Sequence, residues 1–128
     1  MTVRPTHTLF RLAPVPALPS EGLIGVIAPA GPAPLDTDKA VQWMRARGYS
    51  LRVFPGVYQC DGYLAGSDQT RLNDLHAAFA DSDVDAIVCL RGGYGTPRLL
   101  DGIDFDVLRA NPKPFIGYSD ITALHLAI

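Results

Sequence analysis

The chain has 128 residues, 48% of them hydrophobic and 19% charged, with a net charge of −2. That is the size and composition of one globular domain able to bury about two-thirds of its unfolded surface. The charge offers no general attraction to nucleic acid or to an anionic membrane, so neither is expected as a partner, and no run reaches the ~20 apolar residues of a membrane span.

Residues 1–21 read as an extended leader. It carries Arg4 and Arg11, but Pro14, Pro16 and Pro19 break its apolar content, unlike the continuous core of a secretion signal, so the protein is expected in the cytoplasm. Cys60 and Cys89 match neither a disulfide framework nor a paired zinc site, which fits a reducing compartment. Cys89 closes an apolar run and reads as a buried thiol behaving as a small hydrophobe.

From Gly22 onward short β-branched runs alternate with segments of helical period. Leu23 to Ala28 is nearly all apolar, as a strand covered on both faces should be, and Pro29-Ala30-Gly31-Pro32 turns the chain. Asp36 or Thr37 is expected to cap a helix through about Arg47, with Ala40, Val41 and Met44 inward and Gly48 as its stop. Tyr49 to Phe54 reads as the second strand, and Val57 to Gly66 as a loop on the domain's rim. Ser67 then caps a helix whose Leu72, Leu75, Ala78 and Phe79 form one buried face. Asp85 to Leu90 is the third strand, followed at once by Arg91-Gly92-Gly93-Tyr94-Gly95. Short helices are expected over Pro97 to Leu100, where proline suits the first position, and over Asp104 to Ala110. Pro114 to Gly117 is the fourth strand, and Ile121, Leu124 and Leu126 mark a helix after it. This order predicts an open, mostly parallel α/β sheet with helices on both faces, a Rossmann- or flavodoxin-like three-layer domain over residues 22–128. The last helix reaches Ile128 without a cap, a glycine stop or a polar tail, and the chain is expected to continue in a longer protein.

Two loops carry the chemistry. Gly117-Tyr118-Ser119-Asp120 puts a serine on a strand-to-helix turn with a glycine two residues before it. Such a bend exposes the hydroxyl, and the amide of Asp120 could donate to a developing oxyanion. The closing glycine of the common G-x-S-x-G pattern is missing, and from spacing alone a helix-capping serine is the commoner use. Arg91 to Gly95 lies at the carboxyl end of a parallel strand, where open α/β sheets place their ligand sites. It lacks the G-x-G-x-x-G order of a dinucleotide loop, since Arg98 stands at the last glycine and Pro97 removes an amide. A tight structural turn is the competing reading, but a turn alone would not require three glycines. His125, six residues after Ser119, falls on another helix face and suits a general base poorly. His76 reads as a surface or half-buried helix residue, and His7 belongs to the leader. No cofactor motif and no acid-histidine metal cluster is present.

Gly25-Val26-Ile27-Ala28-Pro29-Ala30-Gly31, Tyr63-Leu64-Ala65-Gly66-Ser67-Asp68, Arg91-Gly92-Gly93-Tyr94-Gly95 and Gly117-Tyr118-Ser119-Asp120-Ile121-Thr122 together resemble, in order, the LD-carboxypeptidase family of serine peptidases, which includes the microcin C immunity peptidases. The resemblance covers about residues 22–128. It implies Ser119 as nucleophile, with the amides of Asp120 and Gly93 as the oxyanion hole and Gly92, Tyr94 and Arg91 at the substrate. It also implies a glutamate and a histidine on a carboxyl-terminal domain that this chain lacks, so the chain alone is expected to be inactive. The substrate implied is a small cytoplasmic muropeptide, a murein tetrapeptide losing its terminal D-alanine at an L,D bond in peptidoglycan recycling. A peptide-nucleotide substrate of the microcin type is the alternative within the family, and a small-molecule binding module is the alternative outside it. Arg91 or Arg98 could clamp the substrate carboxylate through two parallel hydrogen bonds, with a surface salt bridge as the competing use. A homodimer is left open.

Overall fold

The computed structural model describes residues 14–128. Most of the expected leader, with His7, lies outside the described residues, and residues 14–19 carry no regular element. The strands are β1 (Leu23–Ile27), β2 (Ser50–Val53), β3 (Val84–Cys89) and β4 (Phe115–Ile116). The α-helices are α1 (Thr37–Ala46), α2 (Asp68–Ala80), α3 (Phe105–Ala110) and α4 (Thr122–Ala127). Short 3₁₀ segments occupy Pro55–Tyr58, Thr96–Gly102 and Ser119–Ile121.

All strand pairs are parallel, in the order β2-β1-β3-β4. Because successive side chains of a strand point to opposite faces, β1 feeds two cores. Ile24, Val26 and Ala28 pack with Val41 of α1, Leu51 and Val57 on one face. Ile27 packs with Ile87 and Cys89 of β3 and with Leu75 and Phe79 of α2, Leu108 of α3 and Leu124 of α4 on the other. The expected three-layer α/β domain is therefore the observed one. Its chain leaves β1 toward one edge for β2 and returns across the sheet to β3. The loops after β1 and β3 consequently diverge, and such a switch point is where open α/β sheets form their crevice. Among the described residues no helix is long and apolar enough to cross a membrane.

Several local expectations are corrected. Asp36 stands at the start of α1 without a side-chain cap bond, and the Thr37 hydroxyl instead donates to Pro34 O at 2.7 Å. The inward stripe of α1 is Thr37, Val41 and Met44, which share one side at i, i+4 and i+7; Ala40, one residue or ~100° round from Val41, is exposed. Leu126 is 85% exposed because Ile121 and Leu124 already take the core side and a residue two further on faces away. The segment after Gly95 is a 3₁₀ helix over Thr96–Gly102, longer and tighter than the short helix expected. The rim loop holds the 3₁₀ turn Pro55–Tyr58, whose Val57 is fully buried. Ser67 does cap α2, its hydroxyl accepting from Thr70 N at 3.1 Å, and Gly48 ends α1 at φ +89°.

Candidate active site

At the end of β4 the backbone passes from an extended Tyr118 into Ser119 at φ +60°. Among the described residues Ser119 is the one non-glycine residue with positive φ, a conformation that disfavours an L side chain by about 1–2 kcal/mol. The side chain is exposed, and neither the 3₁₀ turn nor α4 takes a capping bond from it. The geometry is thus the sharp strand-to-helix bend, and the capping alternative is not realised. Gly117 makes the bend tight: a Cβ there would lie 2.5 Å from Cγ2 of Ile121, so a side chain would collide with the first turn folding back on it.

The glycine loop after β3 lies directly against this serine. A Cβ on Gly92 would stand 2.7 Å from Cβ and 3.0 Å from Oγ of Ser119. Gly31, in the turn after β1, donates its N–H to Gly92 O at 3.2 Å. A Cβ on Gly93, which sits at φ +137°, would be 2.9 Å from Gly31 N. The topology therefore stacks the β1 turn, the glycine loop and the elbow so closely that none of the three glycines has room for a methyl group.

Ser119, Asp120, Gly92 and Gly93 are brought together in this way. Tyr94 is exposed and meets Tyr63 edge-on at 6.2 Å between ring centroids. These two rings, with Gly95, Pro97, Arg98 and Asp120, line a cavity of about 470 Å³. Arg91 is exposed, and its Nε donates to Gly92 O at 3.2 Å. Arg98 takes the salt-bridge alternative: its Nε reaches both carboxylate oxygens of Asp68 at 3.0 and 3.1 Å, and its Nη2 reaches Oδ2 at 3.0 Å. The Arg98 hydrogen bonds, with the charges of Arg98 and Arg71, hold the Asp68 carboxyl below the ordinary carboxylate range.

Two supporting residues escaped the sequence reading. Arg71 is 1% exposed, donates from Nη1 to Pro29 O at 2.9 Å and to Gly95 O at 3.1 Å, and pairs with Asp68 through Nη2. It thereby ties α2 to the loops after β1 and β3. Its signal was present, since position 71 lies one turn before Leu75 on the buried stripe, but an arginine there reads as a surface residue. Thr96, fully buried, donates its N–H to Oδ2 of Asp120 at 2.9 Å and its hydroxyl to Asp120 O at 2.6 Å. The two histidines among the described residues are occupied elsewhere: His125 packs edge-on against Phe115, and His76 accepts the Asp104 N–H at 2.9 Å, joining α2 to α3. Burial pushes the Cys89 thiol up to about 12, leaving it a core residue.

Ser119 thus stands strained and exposed on a strand-to-helix bend, with the glycine loop pressed on it. Residues 24–128 match the model of the LD-carboxypeptidase N-terminal domain. The chain belongs to the LD-carboxypeptidase family. The probable murein peptide carboxypeptidase of Bacillus subtilis is 46% identical to it over 113 residues, which are 88% of this chain and 35% of that protein. The murein tetrapeptide carboxypeptidase of Pseudomonas aeruginosa is 41% identical over 83% of the chain and 35% of its own length. Among solved structures, the microcin C7 self-immunity protein MccF superposes with a TM-score of 0.80 at 29% identity, over 89% of this chain and 35% of that one. The chain thus spans about a third of the length of these relatives, and the family whose amino-terminal domain it matches is one of carboxypeptidases.

Proposed function

We propose that this domain carries the nucleophile of a murein LD-carboxypeptidase, which removes the terminal D-alanine from a cytoplasmic tetrapeptide during peptidoglycan recycling. The single observation supporting this most directly is Ser119 at φ +60° with its hydroxyl exposed beside Gly92. Strain of that kind persists only where the surroundings over-determine it, and it concentrates at reacting groups. Ser119 Oγ attacks the carbonyl carbon of the scissile L,D amide, and its proton passes to a histidine oriented by a glutamate, both supplied by the part of the full-length enzyme beyond this domain. The amides of Asp120 and Gly93 receive the oxyanion. D-Alanine departs with the proton returned by the histidine, and water then hydrolyses the acyl-enzyme. Without the base, the serine hydroxyl is a weak nucleophile at neutral pH, so the domain alone is inactive in this reading. Tyr94, Gly92 and Arg91 border the substrate. Arg91 is the better carboxylate partner of the two arginines, because Asp68 already engages Arg98 through both oxygens.

The test is release of D-alanine from murein tetrapeptide by the full-length protein and by its Ser119→Ala variant. Turnover in the parent and loss to a trace in the variant is the expected result, and appreciable turnover in the variant would reject Ser119. The likeness to MccF favours one other reading, hydrolysis of a peptide-nucleotide conjugate by the same serine. Offering both substrates to the parent separates the two.

A further inference from the structure

The strain at Ser119 raises the question of what holds the next residue, whose N–H is the proposed oxyanion donor. Asp120 is gripped twice by one residue. The Thr96 hydroxyl donates to the Asp120 carbonyl oxygen at 2.6 Å, and the Thr96 N–H donates to Asp120 Oδ2 at 2.9 Å. Thr96 is fully buried, so water does not compete for these bonds and their geometry is held tightly.

Thr96 also terminates the glycine loop, directly after Gly95 at φ +101°. The loop has two other anchors: the Gly31 N–H on Gly92 O, and Arg71 on Gly95 O. Both belong to the β1 and α2 side of the molecule, so neither ties the loop to the elbow. Thr96 joins the loop that bears the Gly93 amide to the residue that bears the other proposed donor.

Resting on the function proposed above, we infer that Thr96 is the positioning residue of the oxyanion hole, its side-chain hydroxyl latching the glycine loop to the nucleophile elbow so that both amides point at one site. It touches no substrate. Its effect is on the transition state, where the oxyanion exists, and far less on the bound peptide.

The distinguishing comparison in the full-length enzyme is Thr96→Val against Thr96→Ser. Valine keeps the shape and deletes the hydroxyl, whereas serine keeps the hydroxyl and deletes the methyl group. A latch predicts that Thr96→Val lowers kcat by about 10- to 100-fold, less than the 10²–10³ seen on removing a donor outright, with KM within about twofold. It predicts that Thr96→Ser stays within about threefold of the parent. A packing role predicts the reverse order, so parent-like turnover in Thr96→Val, or equal losses in the two variants, would overturn the inference. Should Thr96→Val not fold, Thr96→Cys, similar in size to serine but a weak donor, replaces it with the same expected ranking. A parent that shows no Ser119-dependent hydrolysis would remove the functional reading itself, and that outcome is read in the Ser119→Ala control before the Thr96 series.

Discussion

Gly92→Ala tests the closeness of the glycine loop to the serine. The added Cβ would stand 2.7 Å from Ser119 Cβ and 3.2 Å from Tyr118 O, while carbon atoms pack favourably at about 3.5–4.0 Å, so loop and elbow must part by about 0.8 Å. Neither can yield cheaply, since a Cβ and a backbone oxygen are not the ends of flexible side chains. Overpacking of this size destabilises by about 1–3 kcal/mol. A misplacement near 1 Å at a reacting centre lowers turnover about 10²-fold, equivalent to about 2.7 kcal/mol in the barrier. The assay is D-alanine release by the full-length variant, with kcat and KM separated, alongside urea unfolding. Gly48→Ala is the control: that glycine sits at φ +89° with nothing within 4 Å, so it should cost about 1 kcal/mol of stability through its backbone and leave kcat unchanged. Parent-like kcat in Gly92→Ala would refute the claim that the loop is pressed on the nucleophile, and an equal kcat loss in Gly48→Ala would trace the effect to stability alone.

Three further outcomes follow from the same geometry. Ser119→Gly should unfold in urea at about 0.5–1 kcal/mol higher stability than Ser119→Ala, because glycine accepts φ +60° without the L-residue penalty and returns part of that gain through unfolded-chain entropy. Asp74 is buried and accepts the Gly56 N–H at 2.7 Å, and burial raises its carboxyl above the ordinary range. Its contribution to stability is therefore full below the unfolded value near 3.9 and declines as pH rises through the folded one. Asp74→Asn should remove that decline from a pH series of unfolding midpoints, and an unaltered profile would contradict the assignment. A thiol-disulfide reagent at pH 8 should modify one cysteine of the folded chain, exposed Cys60, and a second only on unfolding, since Cys89 is buried with its thiol at about 12.

Much of the fold was legible because it depends on local rules. The apolar runs at Leu23 and Asp85 fall on β1 and β3, the Ser67 cap and the stripe of Leu75, Ala78 and Phe79 fall on α2, and the position of Gly48 marks the end of α1. The elbow was legible as a pattern but not as a conformation. From spacing alone Gly117-Tyr118-Ser119 suits a helix-capping serine better, and the choice was made by Ile121 folding back under Gly117 and by Gly92 lying against the side chain. Arg71 was illegible for a different reason. A charged residue on a buried stripe is tolerable only if partners satisfy it, and those partners, Pro29 O and Gly95 O, lie 42 and 24 residues away in sequence.

The amino-acid sequence by itself determined the alternation of strands and helices, the two glycine-bearing turns and the four blocks that carry the family resemblance, since these follow from periodicity, turn chemistry and residue identity within a few positions. Tertiary structure alone decided the order β2-β1-β3-β4, the meeting of Gly31, Gly92 and Ser119, and the grip of Thr96 on Asp120. Those features arise from packing between segments distant along the chain, where what a residue does is set by what the fold brings within 3 Å of it.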